Sequence, residues 1–128
     1  MNGRVVALST VATAADADRL ARALVERRLA ACVNVVPGVV SHYRYQGELH
    51  RDQEQLLVIK TRAERMGALR AAFAELHPYD VPELVALEIT DGLEPYLEWL
   101  DENVSQLLLS GWSHRGIGGS RRGTRVRP

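Results

Sequence analysis

The chain has 128 residues, 46% of them hydrophobic and 25% charged, which suits one globular domain with room for a core. No apolar run approaches the roughly 20 residues of a membrane-spanning helix, so no membrane partner is expected. The formal net charge of zero is divided unevenly: all sixteen acids lie before residue 103, while Arg115, Arg121, Arg122, Arg125 and Arg127 lie after residue 109, and an acidic body argues against a nucleic-acid partner.

Met1-Asn2-Gly3-Arg4 leads straight into Val5-Val6-Ala7-Leu8-Ser9, a short β-branched run that reads as a buried strand and has neither the length nor the pattern of a secretion signal. Thr13 and Asp16 have capping-box spacing. Ala17, Leu20, Ala21, Leu24, Val25 and Leu29 then recur at helical intervals, which predicts an amphipathic helix over about 14–30. Cys32-Val33-Asn34-Val35-Val36 is a second strand. Pro37-Gly38 interrupts it as a bulge, and it resumes through Val39, Val40, Tyr43 and Tyr45. Gln46-Gly47 turns the chain into a third strand that runs from Leu49 to Lys60, apolar on both sides at Leu56-Leu57-Val58-Ile59 and therefore central.

Thr61 and Glu64 repeat the capping-box spacing ahead of a second helix carrying Met66, Leu69, Phe73 and Leu76. The next stretch, His77-Pro78-Tyr79-Asp80-Val81-Pro82-Glu83, is neither helix nor central strand, because each proline fixes φ and removes a donor. It is a stiff loop presenting an imidazole, a phenol and carboxylates; it is either a site or a rigid connector with His77 as a helix cap. Leu84 to Ile89 is a fourth strand. Asp91-Gly92 turns, Pro95 opens a third helix, and Leu97, Leu100, Val104 and Leu108 form its buried stripe.

The order β-α-β-β-α-β plus a helix predicts an α+β fold of the ferredoxin-like, split βαβ kind, with an antiparallel sheet and a long β-hairpin arm. The domain covers residues 1–109, and 110–128 form a Gly/Ser/Arg-rich tail. Two crossover helices cover one sheet face only. The other face and the arm call for oligomerisation.

No established catalytic spacing is present: no phosphate loop, no C-x-x-C, no H-E-x-x-H. Ser9 and Ser41 show no evident His and Asp partners and read as structural, so no enzyme is expected. Cys32, the single cysteine, is either a small apolar filler or a soft metal ligand, and it fits a reducing cytoplasm. Lys60 is the only lysine, placed at a strand end. It either binds an anion or snorkels, pairing with Glu83 or Glu54. Tyr96 and Trp99, three apart, read as core.

Several stretches match in order and spacing: Ala30-Ala31-Cys32-Val33-Asn34 with Pro37-Gly38, Tyr43-Arg44-Tyr45-Gln46-Gly47, Leu57-Val58-Ile59-Lys60-Thr61, the 77–83 loop, and Tyr96-Leu97-Glu98-Trp99. On these, residues 4–105 resemble the CutA family of divalent-cation tolerance proteins. The resemblance implies a cytoplasmic homotrimer similar in architecture to PII signal proteins, linked to tolerance of copper and other divalent metals. It implies no obligatory cofactor. It also implies a cleft between subunits lined by Cys32, Asn34, Lys60, His77, Tyr79, Glu83, Tyr96 and Trp99.

The family's described copper ligands, a first-strand cysteine and a histidine pair, fall here at Ser9, Leu76 and His77, so only His77 remains. His77 with Cys32 is then the metal pair to expect. The alternative is a PII-like trimer that holds a small anion at Lys60 and His77. The apolar-poor tail gives the first expected outcome: truncation after Leu109 leaves both the melting temperature and the sedimentation behaviour of the protein unchanged.

Overall fold

A computed structural model of the protein describes residues 3–104; the tail assigned to 110–128 and the end of the domain assigned to 1–109 lie outside the described residues. Strand β1 is Arg4–Val11, β2 is Cys32–Tyr45, β3 is Glu48–Arg62 and β4 is Val85–Glu88; helix α1 is Ala14–Glu26, α2 is Met66–Leu76 and α3 is Glu94–Asn103. The four strands form one antiparallel sheet in the order β2-β3-β1-β4. The fold is therefore α+β and ferredoxin-like, as the element order predicts.

Thr13 caps α1 by accepting the Asp16 N–H at 3.0 Å, but Asp16 turns its carboxylate to Arg19 rather than back to the cap, so the box is half formed. The helix also stops at Glu26, short of the predicted residue 30. Arg28 takes a left-handed conformation with φ 59°, its N–H donates to the Val25 carbonyl, and the Leu29 N–H donates to Leu24. That bond pair is the Schellman closure, here made without glycine. Leu29 and Ala30 thus leave the helix and enter the core as chain rather than as helix stripe.

The second predicted capping box is not one. Thr61 belongs to β3, and its buried hydroxyl donates to the Leu29 carbonyl at 2.7 Å, while Glu64 pairs with Arg62. A 3-10 turn over Ala63–Arg65 starts α2 with no side-chain cap. The hydroxyl goes to Leu29 because that carbonyl is buried, and a buried backbone carbonyl needs a partner.

The core lies between one sheet face and the two crossover helices. Ala7, Val11, Leu57 and Ile59 meet Ala17, Leu20 and Leu24 of α1 and Leu69, Phe73 and Leu76 of α2. Among the described residues most of the outer face is uncovered: Val36, Val85 and Leu87 are exposed, and Val6, Leu8, Leu56 and Val58 are half-buried. One end of that face is covered by α3, whose Leu100, with the capping Val104 just beyond the helix, packs on Ala31 and Ile89. Asp101 fixes the helix there by accepting from Arg4 at 2.7 Å and Arg62 at 2.6 Å, and these guanidiniums hold its carboxyl below the ordinary range.

Beyond Val11, which faces Gln55, β2 and β3 continue without a third strand among the described residues. The arm bends at the expected bulge, where the register slips between Val36 and Val39. It ends in a two-residue turn with φ 53° at Gln46 and 82° at Gly47, the primed geometry that suits strand twist. No helix among the described residues is long and apolar enough to cross a membrane.

Replacing Thr61 by Val keeps the shape and deletes the donor to Leu29. The expected loss is about 1–3 kcal/mol of unfolding free energy, with Thr61→Ser costing less, measured by chemical denaturation.

Candidate functional site

The residues expected to line one cleft separate, within a single chain, into two groups. The first lies on the outer face of the sheet. Cys32 and Lys60 are partners across β2 and β3, and Asn34, two residues along, shares their face. The Lys60 ammonium donates to Asn34 Oδ1, and Cys32 Sγ lies 3.8 Å from the same oxygen. Neither Glu83 nor Glu54 is the lysine's hydrogen-bond partner, so the alternative of a pairing with either is not what the structure shows.

Tyr96 reaches this patch from α3. Partial burial and the Cys32 thiol raise its phenol above the ordinary value. Its ring lies 5.4 Å from that of Trp99. Both rings are about two-fifths exposed and neither is core, which corrects the reading from their spacing. The buried face of α3 belongs to Leu97 and Leu100, so positions 96 and 99 turn outward.

The second group lies at the other end of the domain and is dry. His77 is 1% exposed. Its Nδ1 accepts the Tyr79 backbone N–H at 3.1 Å, and its Nε2 lies 3.0 Å from the Thr10 carbonyl. An N–H facing Nδ1 and a carbonyl facing Nε2 define the tautomer: the proton is on Nε2. Burial pushes the imidazole down to about 4, so the ring is neutral. Tyr79 is buried as well and donates its hydroxyl to Glu54 Oε2 at 2.6 Å. Glu83 sits exposed further along the loop.

Ser9 does have a histidine partner, which its spacing gave no means of seeing. Its hydroxyl lies 3.5 Å from His77 Nε2, at the outer limit of a hydrogen bond. The pair is not an activated nucleophile. The Nε2 proton points to Thr10, leaving no base for Ser9, and both residues are sealed from solvent.

The distance between the groups follows from the direction of α2. The helix starts where β3 ends and runs back along the sheet, so the 77–83 loop lands near the point where β3 begins to pair with β1, not near Lys60. Glu54, the partner of Tyr79, is six residues from Lys60 along the strand, roughly 20 Å at 3.3 Å per residue. The metal pair expected from the resemblance is therefore not assembled in one chain, and His77 has no free lone pair to offer. Leu76 is buried in the core. Among the described residues no group of three or more His, Cys, Asp or Glu side chains is placed to hold a metal ion. The donors present do not fit a tight copper site.

The description "CutA1 divalent ion tolerance protein" belongs to a family model that matches residues 5–103. The chain belongs to the CutA1 family. A divalent-cation tolerance protein CutA of Thermus thermophilus is 53% identical over 98 residues, which are 77% of this chain and 95% of that protein. The human protein CutA is 44% identical over 84 residues, 66% of this chain and 47% of that one. Among solved structures, the Thermus thermophilus divalent cation tolerance protein superimposes with a TM-score of 0.78 at 51% identity, covering 80% of this chain and 99% of that chain. The protein described as the periplasmic divalent cation tolerance protein CutA of Archaeoglobus fulgidus does so at 0.77 and 32% identity, covering 80% and 99%.

The depressed imidazole has a defined consequence for this CutA1 chain. Unfolded, His77 takes up its proton near pH 6.5; folded, only near 4. Between those values unfolding binds a proton, so the contribution is intact above pH 6.5 and is lost as pH falls toward 4. Unfolding free energy should fall in that window by up to about 1.4 kcal/mol per pH unit per chain. The measurement is denaturant unfolding at several pH values, wild type against His77→Gln, and the extra slope should disappear in the variant.

Proposed function

We propose that the chain works as a homotrimeric member of the divalent-ion tolerance family whose ligand site is the outer-face patch of Cys32, Asn34, Lys60 and Tyr96. The ligand of that patch is a small anion. One observation carries this reading: the only lysine places its ammonium on Asn34 beside the only thiol, at the end of the bare sheet face. A fixed positive charge next to a soft ligand opposes a divalent cation and attracts an anion. Asn34 and the Tyr96 hydroxyl add directed hydrogen bonds. Trimer assembly is supported by the exposed Val36, Val85 and Leu87 on that face and by the arm, which no third strand covers among the described residues.

A weak divalent-metal reading keeps one support, the half-buried free Cys32 thiol close to Asn34 Oδ1. In that reading the remaining ligands come from a neighbouring subunit. A catalytic role is not proposed, since the only serine–histidine pair among the described hydrogen bonds is buried and wrongly protonated. The compartment proposed is the cytoplasm, on the single thiol, although a rice relative is named chloroplastic and the Archaeoglobus relative periplasmic.

Two measurements check this. Sedimentation equilibrium at micromolar concentration should give three times the mass of the chain. Thermal shifts should rise with phosphate or citrate and stay flat with Zn2+ or Cu2+, because a ligand of the native state raises its apparent stability. Lys60→Gln should weaken the anion effect by about tenfold or more. A metal response that vanishes in Cys32→Ser and survives in Lys60→Gln would instead select the metal reading.

A further inference from the structure

A groove of about 520 Å3 runs between α2 and the loop that follows it, distinct from the outer-face patch. Its floor is Met66, Phe73, Pro82 and Leu84, and two charged side chains line it, Arg70 from α2 and Asp80 from the loop. The helix dictates this arrangement. Leu69, Ala72, Phe73 and Leu76 turn into the core, so Met66 and Arg70, one turn apart, form the flank that faces the loop. Pro78 and Pro82 hold the loop in place, with the buried Tyr79 hydroxyl tied to Glu54.

The charges are complementary and unspent. Among the described residues neither the Arg70 nor the Asp80 side chain makes a hydrogen bond or ion pair, and they do not pair with each other. The volume falls within the range of small-molecule sites, roughly 300–1,000 Å3. An inorganic anion would leave the apolar floor unused and meet Asp80. A metal cation would meet Arg70. A fatty carboxylate would cover Asp80 without answering its charge. The group that satisfies both charges and the floor carries a carboxylate, an ammonium and an apolar body.

We propose that this groove binds an apolar zwitterion, in its simplest form a free α-amino acid with a large hydrophobic side chain. Arg70 receives the carboxylate, Asp80 receives the ammonium, and the side chain lies on Met66, Phe73, Pro82 and Leu84.

The test is titration calorimetry of the full chain with L-phenylalanine, 3-phenylpropionate and phenethylamine, the last two lacking one charge each. The variants are Arg70→Gln and Asp80→Asn. Both native side chains are exposed, and melting curves establish that the variants fold. Phenylalanine should bind the wild type, with amide shifts at Met66, Phe73 and Leu84 by NMR, and each variant should weaken it by about tenfold or more. Phenylpropionate should be sensitive to Arg70→Gln alone, and phenethylamine to Asp80→Asn alone. Absence of binding to the wild type, equal affinity in either variant, or tighter binding of phenylpropionate than of phenylalanine overturns the proposal.

Discussion

Both crossover helices lie on one face of the sheet, and that single constraint distributes the rest of the molecule. A strand, a crossover helix and a parallel strand in one sheet connect in a right-handed sense, and two such units interleaved put α1 and α2 side by side. The helix-covered face then supplies the core, and the other face keeps Val36, Val85 and Leu87 in the open. The same constraint sends the end of α2 away from the end of β3. Lys60 and His77, which the resemblance assigns to one cleft between subunits, therefore stand well apart within one chain.

Burial decides what His77 is. An imidazole in an exposed loop exchanges protons near neutral pH and ligates metals freely. Here the ring is enclosed, its acceptor nitrogen holds Tyr79 and its donor nitrogen holds Thr10. It works as a fixed hydrogen-bond bracket that joins the end of β1 to the proline loop. Tyr79, bound to Glu54, extends the bracket to β3. The stiffness foreseen from the two prolines is thus reinforced by a buried polar chain, and the rigidity serves the flank of α2 as much as the loop itself.

Local signals read well from the sequence. The hairpin turn at Gln46-Gly47, the bulge at Pro37-Gly38 and the Thr13 cap each depend on one or two adjacent residues, and each is where the pattern puts it. The end of α1 was not legible, because Arg28 occupies a left-handed position that glycine normally announces. Thr61 was misread because a hydroxyl before a helix has the same spacing whether it caps the helix or reaches back to Leu29, and only the packing of residues 29 and 61 distinguishes them. The site divided in the same way. Cys32, Asn34 and Lys60 follow from strand register. The contacts Ser9–His77 and Tyr79–Glu54 join residues 68 and 25 positions apart, and no periodicity encodes them.

The position of β1 also imposes an order in time. Val6 sits inside the sheet between Lys60 and Leu87, so β1 leaves the ribosome well before the two strands that flank it. At roughly 5–20 residues per second, β1 waits several seconds for its last partner. The arm, closed by a two-residue turn, forms within microseconds of its own synthesis. Its β3 strand is then a ready template onto which β1 docks, and β4 completes the edge last. Nascent chains of this protein are consequently most exposed to mispairing between the emergence of residues 11 and 62, with the apolar Val5 to Leu8 run as the segment at risk.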